Sequence, residues 1–177
     1  GRPTEENAHP HRDCHGDIVV VHNGIVENYL PLKAQLIKEG HTFVTETDTE
    51  VIAHLLEKYY DGNLENAVRD AVRQLRGVFA LSVISRKDPN KIVAARSGPP
   101  VVIGLGDSEY FVASDVPAIL SHTRDTIFLA DGDTAWLTKD SVHLPDFNGR
   151  PVNRPPHHAR GDPNPEKKGA DSAGVPE

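Results

Sequence analysis

The chain has no methionine, one cysteine and one tryptophan in 177 residues. The lone Cys14 excludes an internal disulfide framework and suits a reducing compartment, so a cytoplasmic setting is expected. No apolar run approaches the ~20 residues of a membrane span, and no secretory leader pattern opens the chain. The net charge is −7 with no basic patch, which argues against nucleic acid or an anionic membrane as partner. Gly1 stands where an initiator Met would, and polar, Pro-containing sequence follows with no strand before it. Both features lead to the expectation that the chain begins inside a longer reading frame.

A hydrophobic content of 37% and a charged content of 25% fit one soluble globular domain. The β-branched run Asp17–His22 predicts a buried strand. Leu32, Leu36 and Ile37 predict a helix over Tyr29–Glu39, with Asn28 as N-cap and Gly40 as stop. Phe43-Val44 reads as a short strand. Thr47–Glu50 has the form of a capping box before a helix that buries Val51, Ile52, Leu55, Leu56 and Tyr59. Leu64, Ala67, Val68, Ala71, Val72 and Leu75 mark a third apolar helix face, closed by Gly77. The period then changes to two. Val78–Ser85, Lys91–Arg96, Val101–Leu105, Glu109–Ala113, Ile127–Leu129 and Thr134–Thr138 are predicted strands. Asp88-Pro89-Asn90 is a predicted turn and Asp115–Leu120 a predicted short helix. Helices early and antiparallel strands late give an α+β domain of layered sheets and helices over residues 1–149. Residues 150–177 are rich in Pro and poor in apolar side chains, and are expected to form a disordered tail.

Three stretches could carry chemistry. Asn23-Gly24 between β-branched runs is a strong hairpin signal. The same pair could form an oxyanion hole, a carboxamide N–H beside an unobstructed Gly N–H. Within Glu46-Thr47-Asp48-Thr49-Glu50, the capping box explains Thr47 and Glu50, and Asp48 could instead bind a substrate ammonium. His9, His11, Cys14 and His15 offer metal-ligand chemistry, but their spacing matches no standard zinc module. A solvated loop and no metal site is the expectation there. Cys14 has no carboxylate-oriented His nearby in sequence, which disfavours it as a nucleophile. Gly104-x-Gly106 lacks the third Gly and the helix of a phosphate loop.

Taken in order, Asn7-Ala8-His9-Pro10-His11, Val20–Asn28 and Glu46–Leu55 resemble the class II glutamine amidotransferase domain. Arg96-Ser97-Gly98, Val101–Leu105 and Phe111–Asp115 make the resemblance strongest to the glutamine–fructose-6-phosphate aminotransferase family. It covers roughly residues 1–149. It implies a four-layer αββα sandwich of the N-terminal-nucleophile hydrolase type. It implies a glutaminase that acts on L-glutamine without a cofactor and feeds ammonia to sugar-phosphate isomerase domains, in a homo-oligomeric parent. By the family pattern Asn23 and Gly24 match the oxyanion donors, and Asp48 the residue that binds the glutamine α-amine. With hydrogen bonds of about 3 Å at both ends of glutamine, Asp48 should lie roughly 6–11 Å from the Asn23 carboxamide, both facing one cleft. Amidophosphoribosyltransferase carries a similar domain; Thr49 after Asp48 and the stretch Val101–Leu105 favour the sugar enzyme. A non-catalytic ligand- or zinc-binding module is the alternative from another class.

The resemblance also implies an N-terminal Cys nucleophile whose own α-amine is the base. Gly1 has the amine without the thiol, and Cys14 the thiol without a free α-amine. The family's Arg-containing segment and first hairpin would precede Gly1. The chain is therefore expected to be a fragment, inactive alone, incomplete at its N-terminus, and left with an exposed edge at Asp17–His22 or its neighbour. Glu166–Gly169 resembles the family's linker, with a shifted frame possible near the end.

Overall fold

The computed structural model describes residues 2–160. Among them a first sheet takes the order β1 (His11–Arg12), β2 (Ile18–Val26), β3 (Gly77–Ser85), β4 (Asp88–Ser97), β8 (Thr134–Leu137), β9 (Val142–His143). A second takes the order β10 (His157–His158), β7 (Asp125–Phe128), β5 (Val102–Leu105), β6 (Tyr110–Ala113). Every strand pair is antiparallel. Three helices, α1 (Tyr29–Lys38), α2 (Thr49–Tyr59) and α3 (Leu64–Val72), lie between β2 and β3 in the chain.

Strand alternation sends side chains to two faces, and each face has its own core. Ile18, Val20, Val26, Phe79, Leu81, Val83 and Val93 pack with the buried stripes of α2 and α3. Ala80, Ala94 and Ala135, from the opposite face of the same sheet, pack with Val101, Ile103, Ile127 and Leu129 of the second sheet region. The layers thus run helices, sheet, sheet.

The periodic helices lie where their patterns place them, and Asn63 caps α3 by accepting the Asn66 amide at 2.9 Å. Several local expectations fail because a distant partner wins. Asn23-Gly24 is no turn: both residues continue β2, opposite Ala80 and Phe79. Asn28 precedes α1, but its carboxamide is engaged by Gln74 O and the Arg76 amide. Phe43-Val44 is not a strand. Asp88–Asn90 belongs to β4, and the hairpin turns at Arg86-Lys87. Residues 115–122 form hydrogen-bonded turns rather than a helix, with Ile119 buried against Gly104.

The expected disordered tail begins too early. Pro151 bridges Pro145, the Val152 amide donates to Leu144 O, and His157–His158 pairs with β7. Arg154 forks onto Asp133, which is 1% exposed, at 2.6 and 2.9 Å. Main-chain pairing and one buried carboxylate hold this stretch where composition predicted nothing apolar to hold it. Residues 161–177, including the linker-like Glu166–Gly169, lie outside the described residues.

Candidate active site

The site is built on the edge of β2. Odd-numbered residues of β2 direct their backbone groups to β3, as the neighbouring Glu27 amide does to Arg76 O at 2.8 Å. Even-numbered residues direct theirs outward. The Ile18 amide meets the Asp13 carboxylate, Val20 pairs with His11 of β1, and the Val26 amide meets Asp48. β1 ends its pairing at Val20, so the Gly24 N–H points outward from an unpaired edge. The sequence places the exposed edge at Asp17–His22 or its neighbour; β1 covers that strand as far as Val20, and among the described residues the open edge lies on the C-terminal half of β2.

Gly24 has φ +133, and a Cβ there would lie 2.1 Å from Val78 O. Only glycine allows β3 to approach this closely. Its sequence neighbour Asn23 sends its side chain to the inter-sheet face and lines a cleft of ≈ 390 Å³ with Val21, Ala80, Val101 and Val112.

Asp48 immediately precedes α2. Its side chain does not cap the helix; Oδ2 accepts the Val26 amide at 2.7 Å. Among the described residues Oδ1 takes no hydrogen bond. Three residues of strand separate Asn23 from Val26, about 10 Å at the rise of an extended chain; this is a backbone spacing, and the Asn23 carboxamide leaves the strand edge for the inter-sheet face. The single cleft expected to hold both is only partly realised: the cleft reaches Asn23, whereas Gly24 and Asp48 stand at the strand edge.

The capping box is not formed. Glu50, 1% exposed, accepts the amides of Val44 and Thr45 at 2.8 and 2.6 Å and the Thr45 hydroxyl at 2.5 Å. Burial by itself would raise its pKa; these donors outweigh it and hold the carboxyl below its ordinary value. Thr47 bonds sideways to Thr45 and His11 instead of to the helix. Glu50 thus fixes the loop that delivers Asp48. His22, 5% exposed, supports the strand from beneath through Nδ1 and the Thr49 hydroxyl at 2.9 Å. Burial lowers its pKa, opposed by the Asp48 carboxylate, and Nε2 has no partner among the described residues.

Cys14 lies in the turn between β1 and β2, at the other end of the strand. Six residues, or about 20 Å of extended chain, separate Asp17 from Asn23. Its thiol therefore does not reach a carbonyl held at Gly24. Burial also raises its pKa, which disfavours the thiolate. Sequence proximity misled on its neighbours: His9 and His11 pack edge to edge, while the thiol faces His41 and His54.

The chain matches the family model described as Glutamine amidotransferase domain over residues 3–121. It belongs to that family. Glutamine–fructose-6-phosphate aminotransferases (isomerizing) of Aquifex aeolicus and Methanothermobacter thermautotrophicus are 53% and 52% identical to this amidotransferase domain. The alignments cover 87% and 89% of this chain but 26% and 27% of those enzymes. The corresponding enzyme of Clostridium tetani is 45% identical, over 96% of this chain and 28% of its own. The chain thus spans about a quarter of the length of these curated relatives. Among solved structures, a glutamine phosphoribosylpyrophosphate amidotransferase from B. subtilis superposes with a TM-score of 0.69 at 24% identity, covering 81% of this chain and 32% of that one. A glutamine aminotransferase class-II domain protein from Silicibacter pomeroyi gives 0.62 at 17%, covering 85% and 74%. Both likenesses are of fold, and they bear out the N-terminal-nucleophile hydrolase type expected from the motifs.

Proposed function

We propose that this amidotransferase domain is the glutaminase part of a glutamine–fructose-6-phosphate transaminase (isomerizing). The parent reaction converts L-glutamine and D-fructose 6-phosphate to L-glutamate and D-glucosamine 6-phosphate. The observation that carries the residue roles is the shared edge of β2: Gly24 N–H points outward two residues from the amide that anchors Asp48. Asp48 Oδ1 takes the glutamine α-ammonium. Gly24 N–H and the Asn23 carboxamide receive the side-chain oxygen as it becomes an oxyanion. Donors fixed on a strand need no reorganisation as that charge develops.

Attack on the amide carbon requires a thiolate and a base, supplied in this family pattern by an N-terminal Cys and its own amine. Among the described residues none fills that role. Sugar-phosphate isomerase domains use the released ammonia in the parent, a cytoplasmic homo-oligomer without a cofactor. The identities of 45–53% to the aminotransferases favour this reading over amidophosphoribosyltransferase, for which the likeness is one of fold.

Amide-resolved NMR tests the site. Adding L-glutamine should shift the Gly24 and Val26 amides, and Asp48→Asn should abolish the response. Shifts confined to other regions would remove the site assignment.

A further inference from the structure

Four side chains from three separate parts of the chain converge about one point behind the β1–β2 turn. Cys14 comes from that turn, His41 from the loop after α1, and His54 and Glu57 from one face of α2, three residues apart. Their ligand atoms lie within 4.8 Å of one another. Cys14 Sγ is 3.4 Å from His54 Nδ1 and 3.7 Å from His41 Nδ1. The two Nδ1 atoms are 3.3 Å apart, and Glu57 Oε2 is 3.0 Å from His41 Nδ1 and 3.4 Å from His54 Nδ1.

Those separations are the edges of a coordination tetrahedron. Bond lengths of about 2.0–2.1 Å to nitrogen and 2.3 Å to sulfur give tetrahedral edges of about 3.3 Å for N···N and about 3.6 Å for S···N. His54 Nε2 lies 3.2 Å from the buried carboxylate of Glu50, an acceptor that can hold a hydrogen on Nε2 and leave Nδ1 as the ligand atom. His54 Nδ1 faces a carboxylate oxygen, a second imidazole nitrogen and a sulfur, the donor set of a cation site. A carboxylate behind a histidine ligand also fixes its tautomer and raises its basicity. The Thr42 amide donates to Cys14 Sγ at 3.4 Å, a bond that suits a thiolate.

We propose that Cys14, His41, His54 and Glu57 bind a divalent transition-metal ion, zinc by the mixture of one thiolate, two imidazoles and one carboxylate. With four protein ligands the site is closed and structural. It ties the β1–β2 turn and the loop after α1 to α2, and through Glu50 it braces the segment that leads to Asp48. The site is independent of the glutaminase reading: His54 stands six residues along α2 from Asp48, about 9 Å at the helical rise.

The test uses the untagged 177-residue chain, reconstituted with zinc and dialysed against metal-free buffer. About one zinc per chain should remain, as expected for a closed four-ligand site, and cobalt substitution should give a thiolate-to-metal charge-transfer band. Cys14→Ser and Glu57→Gln should lower zinc affinity at least tenfold, as judged by chelator competition, while circular dichroism stays unchanged. His15→Ala should keep the metal, because His15 meets only the other Glu57 oxygen, at 3.5 Å. Zinc far below one equivalent, no charge-transfer band, or Cys14→Ser holding metal as tightly as the parent chain would overturn the proposal.

Discussion

The Asp48 carboxylate accepts the Val26 main-chain amide at 2.7 Å, fastening the start of α2 to the open edge of β2. This bond joins two segments 22 residues apart and places a carboxylate on the strand edge two residues from Gly24. Gly24 and Asp48, two of the three candidate glutamine contacts, stand at the strand edge, whereas Asn23 lines the inter-sheet cleft.

Gly24→Ala should be severely destabilising. Its Cβ would meet Val78 O at 2.1 Å at a backbone φ of +133. Conformational strain of about 1–2 kcal/mol adds to an overpacking cost of about 1–3 kcal/mol. Gly16→Ala, at φ +68 with open space around it, should lose only about 1 kcal/mol. Urea unfolding of the pair would compare them; equal midpoints would contradict the close approach of β3.

Stability should fall as pH drops from 7.5 to 5.5, measured with a chelator present. His22 and His11 are both buried, and burial lowers both pKa values in the folded state. Asp48 raises the His22 pKa, and His9 and His11 lower it. The unfolded chain therefore binds more protons below its ordinary His pKa of about 6.5, and stability present above that pH is lost as pH falls toward the folded values. The slope reaches at most about 1.4 kcal/mol per pH unit for each histidine. His22→Gln should flatten the dependence. A urea midpoint that rises on acidification would refute it.

Glu50→Ala should cost about 1–3 kcal/mol, because it removes the acceptor of the part-buried Val44 and Thr45 amide bonds and of the Thr45 hydroxyl. Thr47→Ala should cost under about 1 kcal/mol, since its hydroxyl caps nothing. The opposite ranking in chelator-treated protein would restore the capping box.

Truncation after Gly149 should lower the unfolding midpoint relative to a chain ending at Arg160. The shorter chain leaves Asp133 buried without Arg154 and removes the strand that pairs with β7. Arg154→Ala in the longer chain should reproduce part of the loss. Identical midpoints for all three would show that residues 150–160 do not contribute to the domain.

Local sequence determined the elements whose pattern is itself local. The apolar stripes of α2 and α3 and the period-two runs of β3, β5, β6 and β8 are visible without partners, because each must bury one face. The motif order also determined the family. Tertiary structure decided where polar groups went. Asn23-Gly24 has the form of a turn until β3, more than 50 residues later, pairs with it. Glu50 has the form of a cap until the Val44 and Thr45 amides take its oxygens. Cys14 stands 27 residues from His41 and 40 from His54, so no local spacing reveals their convergence. A hydrogen bond or a ligand set is satisfied by whichever group the completed fold brings within about 3 Å, and sequence neighbours have no prior claim on it.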